Sequence, residues 1–189
     1  MGAQDSKLFV ISGPSGAGKG TLVTPVRARR SNLGLTVSAT TRAPRKGEVD
    51  GVNYFFLTRE EFDRRVANGE FVEWAEVHGN CYGTLVSEVT SKLASGASLI
   101  LEIDVQGALQ VKERFPEAVL IFIKPPSLEV LRERLVGRGT ETPETIELRM
   151  ANAADELALA DRYDDVVVND DLDRATDELV RVLDMHERI

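Results

Sequence analysis

Residues 10–22 read VISGPSGAGKGTL, and this stretch decides the fold prediction. The segment from Gly13 to Lys19 fits the pattern G-x-x-x-x-G-K, but the strict P-loop pattern continues with Ser or Thr, whereas this chain has Gly20 and then Thr21. Residues 8–11, just before the loop, form a short apolar run typical of a strand buried on both faces. A strand, a glycine-rich turn and a helix start aim backbone N–H groups at an anion. The stretch therefore predicts a phosphate-binding loop.

The composition is that of a globular chain with one domain. The chain has 189 residues, of which 42% are hydrophobic and 29% are charged, so it is long enough for a substantial core. Its net charge of −8, from 23 basic and 31 acidic residues, argues against a protein that coats nucleic acid. Any anion that the protein binds must therefore be met by a local site, and nucleic acid is not an expected partner.

Cysteine content and hydropathy bear on the expected location. The single cysteine, Cys81, excludes an intramolecular disulfide and fits a reducing compartment, so we expect a cytoplasmic protein. We find no apolar stretch of about 18 residues and no signal-peptide pattern, and we expect no membrane association. Residues 1–6, MGAQDS, satisfy the loose pattern for N-myristoylation, but no polybasic patch supplies a second anchor.

Apolar runs alternate with helical segments along the chain. Residues 8–11, 99–103, 119–123 and 166–168 are predicted to be buried parallel strands, with residues 35–37 as a weaker fifth. Strands that alternate with helices indicate an α/β fold with a parallel sheet.

Helix boundaries are indicated by capping residues. Thr58 begins a capping box whose helix should end at residues 68–69, Ser127 should cap another helix, and a long helix is expected over about residues 145–160. A last helix should follow Asp171, with its inward face formed by Leu172, Ala175, Leu179, Val182 and Leu183.

Two stretches interrupt this alternation. Residues of about 38–86 are dense in Gly, Tyr, Phe and Arg and are expected to form short strands of a separate small lobe. Residues of about 136–149, VGRGTETPETIELR, are expected to form a polar connection between two helices. A long polar loop beside a nucleotide site is a candidate lid.

The first of these stretches holds a cluster of polar residues. Arg42 and Arg45 lie three apart around a proline that keeps the backbone extended, so both guanidinium groups could converge on one anion. Tyr54 and Tyr82 offer phenol donors, and Glu73 is an acid embedded in the aromatic, apolar segment FVEWAEV.

Six motifs in fixed order make the sequence resemble guanylate kinase over nearly its whole length. They are SGPSGAGKGTL, SATTRAPRKGEVDGVNY, GEFVEWAEVHGNCYGT, ILEIDVQGA, RLVGRGTET and VVVNDDLD. The resemblance implies a three-layer P-loop fold with a core of about residues 1–37, 87–135 and 150–189. It also implies a GMP-binding lobe of mixed α/β structure at about 38–86 and a short helical lid at about 136–149.

The resemblance also assigns roles to residues. Those implied to bind the donor ATP are Gly13, Pro14, Ser15, Gly16, Ala17, Gly18, Lys19, Gly20, Thr21 and Asn169. Those implied to bind GMP are Arg42, Arg45, Tyr54 and Tyr82 at its phosphate, and Ser38, Glu73 and Thr84 at its base, with Glu102 and Asp104 at the end of a core strand. Those implied to act on the transferring phosphoryl group are Lys19, Arg134, Arg138 and Arg149.

Gly20 does not disqualify the loop, because the resemblance implies that glycine is common at this place and lets the backbone approach the phosphates. The usual hydroxyl ligand of Mg²⁺ is absent from its slot, so the cofactor Mg²⁺ would be held mainly by ATP oxygens and water. Thr21 or the acids at the end of the strand would make a secondary contribution to holding the ion. Which of Glu102 and Asp104 serves guanine and which serves Mg²⁺ stays open at this point.

The implied activity is the ATP-dependent phosphorylation of GMP, and of dGMP, for purine nucleotide metabolism and GMP recycling, by a monomer or a dimer. One alternative is a catalytically inactive guanylate-kinase-like interaction module. The other is a kinase for a different nucleoside monophosphate.

Overall fold

The computed structural model describes residues 6–77, 79–137, 139 and 142–187. In chain order the elements are β1 (Leu8–Ser12), α1 (Lys19–Arg29), β2 (Leu33–Leu35), β3 (Ala39–Thr40), β4 (Phe55–Phe56), α2 (Arg59–Ala67), β5 (Phe71–Val77), β6 (Asn80–Leu85), α3 (Val86–Ala94), β7 (Ser98–Glu102), α4 (Val105–Arg114), β8 (Val119–Lys124), α5 (Leu128–Gly137), α6 (Pro143–Leu157), a short 3₁₀ turn (Ala160–Arg162), β9 (Asp165–Val168) and α7 (Leu172–Glu187). Residues 1–5, which carry the myristoylation pattern, lie outside the described residues.

A five-stranded sheet forms the centre of the α/β fold. Its strands lie in the order β2, β7, β1, β8 and β9, and all neighbouring pairs are parallel. The four strong strand predictions are confirmed to within one residue at each end, whereas the weak fifth strand lies at Leu33–Leu35 instead of 35–37. Because the strands are parallel, the loops that follow β1, β7 and β8 lie along one edge of the sheet.

Helices cover both faces of this sheet. Along β1, Phe9 and Ile11 pack into a core shared with α1 and α7, whereas Leu8 and Val10 pack into a core shared with α3 and α4. All four side chains are almost completely buried. Burial of each side chain of this size stabilises the fold by about 1.5–3 kcal/mol, so the β1 strand fixes the position of the loop that follows it.

A second, four-stranded sheet has the order β4, β3, β6 and β5. Strand β6 runs antiparallel to β3 and β5, and α2 packs on the sheet through Phe62, whose ring stacks on Phe71 with 4.3 Å between centroids. Thr58 accepts a hydrogen bond from the backbone N–H of Glu61, which confirms the predicted cap of α2. Helix α4 packs against β5 and joins this sheet to the central one.

Helices α5 and α6 pack against each other. The contact is formed by Leu131 and Leu135 of α5 with Ile146 and Ala153 of α6. The Ser127 hydroxyl accepts a hydrogen bond from the N–H of Val130, as the predicted cap requires.

The predicted bounds of the long helix are wrong at both ends, because α6 spans Pro143–Leu157 and not about 145–160. Thr142 caps it by accepting a hydrogen bond from the N–H of Thr145, and a proline occupies the first position, where no N–H is required. Much of the stretch expected as a polar connection, 136–149, is therefore helical.

The inward face of α7 differs from the prediction at one residue. Ala175, Leu179 and Leu183 are buried and Val182 packs against the same core, but Leu172 is 41% exposed. As the first residue of the helix, Leu172 lies beyond the core and lines an open cavity. No helix in the described parts of the chain is long and apolar enough to cross a membrane.

A buried ionic cluster connects the two helices that cover one face of the central sheet. Arg30, at the end of α1, forms ion pairs with Asp184 and Glu187 of α7. The side chains of Arg30 and Glu187 are only 9% and 2% exposed. Because both charges are largely removed from water, each needs the other as a partner.

We expect the substitution Glu187→Gln to lower the free energy of unfolding by about 1–3 kcal/mol, because it leaves the buried guanidinium of Arg30 with one carboxylate partner. Urea denaturation of the variant measures the loss. The matched control is Glu178→Gln, a partly exposed acid on the same helix, for which we expect a change within about 0.5 kcal/mol. Equal stability of the two variants would contradict a stabilising role for the cluster.

Candidate active site

The loop between β1 and α1 is shaped by three glycines with positive φ. Gly13, Gly16 and Gly18 have φ values of 141°, 94° and 88°. A Cβ atom on Gly13 would lie 2.3 Å from the carbonyl oxygen of Ile123, at the end of β8. Only glycine permits this approach, so the loop is pressed against the carboxyl edge of the central sheet.

Lys19 is the first residue of α1 and folds back over the loop. Its Nζ atom donates to the carbonyl oxygens of Gly13 at 2.5 Å and Pro14 at 3.3 Å. Helix α1 begins after Gly18 with no side-chain cap, so the N–H groups of its first turn are available to an anion. The loop thus combines a cation with the N-terminus of a helix, as the sequence predicts.

Arg134 and Asn169 hold the middle of the loop from the side. The Asn169 side-chain amide donates to the carbonyl oxygen of Ala17 at 2.8 Å, and Arg134 donates to the same oxygen at 3.4 Å and to the Asn169 carbonyl at 2.8 Å. A Cβ atom on Gly18 would lie 2.5 Å from the Asn169 amide nitrogen. These contacts fix the direction of the Ala17 carbonyl in the middle of the loop.

Arg149 reaches the same loop from α6, where its Nη1 donates to the Ser15 hydroxyl at 2.5 Å. The structure therefore brings to the loop two of the three arginines predicted to act on the transferring phosphoryl group. Arg138, the third, lies outside the described residues.

An open cavity of about 370 Å³ lies beside the loop. Its lining includes Gly16, Gly18, Thr21, Arg134 and Asn169. This cavity is on one side of α1, next to the loop and the start of α7. It is of the right order for a nucleotide base.

Glu102 lies at the end of β7, beside Gly20 of α1. A Cβ atom on Gly20 would be 3.4 Å from the Glu102 carboxylate, so glycine leaves space in front of this acid. Burial raises the pKa of the Glu102 carboxyl, and the positive charge of Lys19 opposes the rise. Thr21, one residue further along the helix, faces the cavity near Asn169 instead.

Asp104 caps α4, because its carboxylate accepts a hydrogen bond from the backbone N–H of Gly107 at 2.7 Å. This position also brings Asp104 close to a second acid, Glu73. A Cβ atom on Gly107 would lie 3.3 Å from the Asp104 carboxylate and 3.5 Å from that of Glu73. The two acids therefore meet across one small space at the N-terminus of α4, where the second sheet faces the central one.

Glu73 lies in β5, opposite Thr84 in β6. The Thr84 hydroxyl donates to the Glu73 carboxylate at 2.8 Å, and Glu73 is only 9% exposed. Burial raises the pKa of the Glu73 carboxyl, the bond from Thr84 lowers it, and the negative charge of Asp104 raises it further. Ser38 precedes β3, whose residue Ala39 pairs with Gly83, so Ser38 lies next to Thr84 in the sheet.

A second cluster in this sheet contains Arg42, Tyr54 and Tyr82. The Arg42 guanidinium lies 5.4 Å from the ring centroid of Tyr54, and the rings of Tyr54 and Tyr82 are 6.3 Å apart. Arg42 also pairs with Glu48 at 2.8 Å. The side chain of Arg45 is exposed, and its backbone N–H donates to Glu48 at 2.6 Å.

Comparison with known proteins identifies relatives along almost the entire chain. A family model described as guanylate kinase matches residues 5–186. Guanylate kinase from Gloeobacter violaceus is 56% identical over 178 residues, which cover 94% of this chain and 87% of that protein. Guanylate kinase from Halalkalibacterium halodurans is 52% identical over 183 residues, which cover 97% and 90%. The crystal structure of guanylate kinase from Anaplasma phagocytophilum matches with a TM-score of 0.73 and 36% identity, covering 97% of this chain and 87% of that one.

The chain belongs to the guanylate kinase family. This confirms the resemblance seen in the six motifs, and the solved guanylate kinase confirms the α/β fold with a parallel core sheet.

Two acids near the predicted guanylate kinase site were missed by the sequence analysis. Glu48 contacts Arg42 and Arg45, and its spacing of three residues after Arg45, across a turn with a glycine, was a signal that could have found it. Glu156 of α6 is half-buried, and burial raises its pKa, with opposing effects from Lys19 and Asp104. No sequence pattern relates Glu156 to Lys19, because the electrostatic effect of Lys19 on this acid depends on where the fold places α6.

Glu73→Gln should make the free protein more stable than wild type at pH 7. Because the folded chain raises the pKa of this carboxyl, the folded state binds its proton more tightly, and stability falls as pH rises above the unfolded-state pKa. Glutamine keeps an acceptor for Thr84 without the buried charge. The gain should vanish below about pH 4, where the carboxyl is protonated in both states.

Urea denaturation at several pH values measures this difference. Glu76→Gln, an exposed acid of the same strand that pairs with Arg59, is the control and should give no gain. A Glu73→Gln variant that is less stable than wild type at pH 7 would show that the carboxylate is a stabilising part of the sheet.

Proposed function

We propose that the protein transfers the terminal phosphoryl group of ATP to GMP, and also to dGMP, forming ADP and the corresponding diphosphate. The observation that carries this proposal is the buried carboxylate of Glu73, which accepts a hydrogen bond from the Thr84 hydroxyl and lies close to Asp104. Guanine presents an N–H and an NH₂ group side by side, and these donors match a carboxylate that lacks water. Adenine lacks this pair of donors, so it would leave the carboxylate buried and unsatisfied.

The donor side of the proposed site is the loop after β1. Backbone N–H groups of the loop between Gly13 and Gly20, other than at Pro14, and the ammonium of Lys19 would hold the ATP phosphates. The cavity lined by Thr21, Arg134 and Asn169 would take the adenine base, with Asn169 at its edge.

The acceptor side is the second sheet. Arg42, Arg45, Tyr54 and Tyr82 would bind the phosphate of GMP, and Ser38, Glu73 and Thr84 would bind its base. We assign Asp104 to guanine as well, because it shares with Glu73 the space in front of Gly107.

The residues present fit a hydrated Mg²⁺ ion that accompanies ATP. Mg²⁺ in such enzymes is held by one or two carboxylates together with substrate phosphates and water. Glu102 is the carboxylate that lies beside Gly20, close enough to Lys19 for that positive charge to oppose the rise in its pKa. We therefore assign Glu102 to the ion. Thr21 lines the cavity that contains Asn169 instead, which makes it the weaker choice. The ion would neutralise charge on the donor phosphates.

Transfer requires no general base from the protein. The phosphate of GMP has a second pKa near 6, so it is largely dianionic at pH 7 and can attack the terminal phosphorus of ATP in line. The task of the protein is to bring two anions together and neutralise their charge. We assign that task to Lys19, Arg134 and Arg149, and, from the sequence alone, to Arg138.

The proposed core, GMP-binding lobe and lid would close around the two substrates and exclude water that would otherwise hydrolyse ATP. The free, buried thiol of Cys81 supports a reducing location such as the cytoplasm. The proposed site is compatible with either a monomer or a dimer.

The two alternative functions, an inactive interaction module and a kinase for another nucleoside monophosphate, each leave particular residues unexplained. An inactive interaction module has no need for Lys19 on the loop or for two arginines that reach it, and all three are in place. A kinase for another nucleoside monophosphate does not explain the desolvated carboxylate of Glu73.

The test is ADP formation from ATP and Mg²⁺ with GMP, dGMP, AMP, CMP or UMP as acceptor. We expect kcat/KM for GMP and dGMP to exceed that for AMP by at least about 100-fold, because a site built for hydrogen-bond donors rejects a base that lacks them. Lys19→Ala should retain the folded structure and lose at least about 100-fold in turnover.

Two results would contradict the proposal. Similar kcat/KM values for GMP and another base would indicate a different kinase. Tight binding of GMP without turnover would indicate an interaction module.

A further inference from the structure

We propose that Glu48 is a positioning residue that organises the two arginines of the GMP phosphate site. The inference rests on the proposed function, because it assumes that Arg42 and Arg45 bind that phosphate. Glu48 itself would not touch the substrate.

The first observation is the way in which Glu48 holds the Arg42 side chain. Nη2 of Arg42 donates to both carboxylate oxygens of Glu48, at 2.8 and 3.0 Å. Nη1 donates to the carbonyl oxygen of Ala43 at 2.7 Å, and the guanidinium lies over the ring of Tyr54. The guanidinium is thus held in place by Glu48, Ala43 and Tyr54 before a phosphate binds.

The second observation is that the same carboxylate holds the backbone of Arg45. The N–H of Arg45 donates to Oε2 of Glu48 at 2.6 Å, and the N–H of Glu48 donates to the carbonyl oxygen of Arg45 at 3.0 Å. Residues 43–47, which lie between Arg42 and Glu48, are all exposed. These bonds close the loop into a turn, so one side chain sets the positions of both arginines.

The Arg42–Glu48 pair is partly withdrawn from water, since the two side chains are 15% and 20% exposed. The hydrogen bond from Arg42, followed by that from the Arg45 N–H, holds the pKa of the Glu48 carboxyl below its ordinary value. Glu48 therefore remains an anion at neutral pH. An ordered guanidinium binds phosphate with less loss of side-chain entropy than a mobile one.

Glu48→Gln is the informative substitution. Both oxygens of Glu48 accept hydrogen bonds, so the NH₂ group of glutamine must face a donor on one side. The variant should bind GMP at least about 10-fold more weakly than wild type in a calorimetric titration. Its affinity for guanosine, which has the same base and no phosphate, should change less than twofold, and kcat at saturating GMP should stay within about threefold.

The matched control is Glu60→Gln, which removes the same charge from an exposed position on the first turn of α2. It should bind GMP and guanosine like wild type. A double-mutant cycle completes the test, because a residue that acts through Arg42 has a smaller effect once Arg42 is gone. In an Arg42→Met background, Glu48→Gln should weaken GMP binding by less than about threefold.

Four results would overturn the role of Glu48. Tighter GMP binding by Glu48→Gln would show that the carboxylate competes with the phosphate, and unchanged binding would show that it is dispensable. Equal losses for GMP and guanosine would indicate a general role in the fold of the second sheet. A full loss in the Arg42→Met background would show that Glu48 does not act through Arg42.

The wild-type titration separates this proposal from the proposed function. Failure of the wild-type protein to bind GMP would contradict both. Normal binding by wild type with an unaffected Glu48→Gln variant would contradict only the role of Glu48.

Discussion

The candidate site depends on a carboxylate that is buried before any ligand arrives. Glu73 in β5 accepts a hydrogen bond from the Thr84 hydroxyl, and Asp104 adds a second negative charge nearby. Removal of a charge from water is costly unless hydrogen bonds replace the lost hydration. A ligand with adjacent N–H donors would supply such bonds, and this is the physical basis of the proposed preference for guanine.

The phosphate groups of both substrates impose a second constraint, because the protein carries a net charge of −8. The cations that would meet them are fixed by contacts with the protein. Lys19 lies on loop carbonyls, Arg134 holds Ala17 and Asn169, and Arg42 pairs with Glu48. Such contacts hold each positive charge near its expected position, so less ordering is required when a phosphate binds.

Much of the central sheet and the loop was predictable from local signals. Parallel strands buried on both faces appear as continuous apolar runs, so β1, β7, β8 and β9 were located to within one residue. The caps at Thr58 and Ser127 are also local, since each involves residues three apart. The glycine-rich loop was recognised despite Gly20, because a strand precedes it and a helix follows it.

The remaining features depend on tertiary structure. The pairing of Glu73 with Thr84 requires the irregularity in β5 between Phe71 and Glu73, and no single segment encodes that register. Leu172 fits the helical pattern of α7 but lies where no core remains to cover it, so the pattern alone predicted burial wrongly. The different surroundings of Glu102 and Asp104 also required the fold, because in the sequence Glu102 ends β7 and Asp104 stands only two residues later.

The most direct test of the central claim compares the affinities for GMP and IMP, which differ only in the exocyclic NH₂ group of the base. If Glu73 recognises guanine through that donor, wild type should bind GMP about 10- to 100-fold more tightly than IMP in a calorimetric titration, and Glu73→Gln should abolish most of the difference. Equal affinity of the wild-type protein for GMP and IMP would contradict the account.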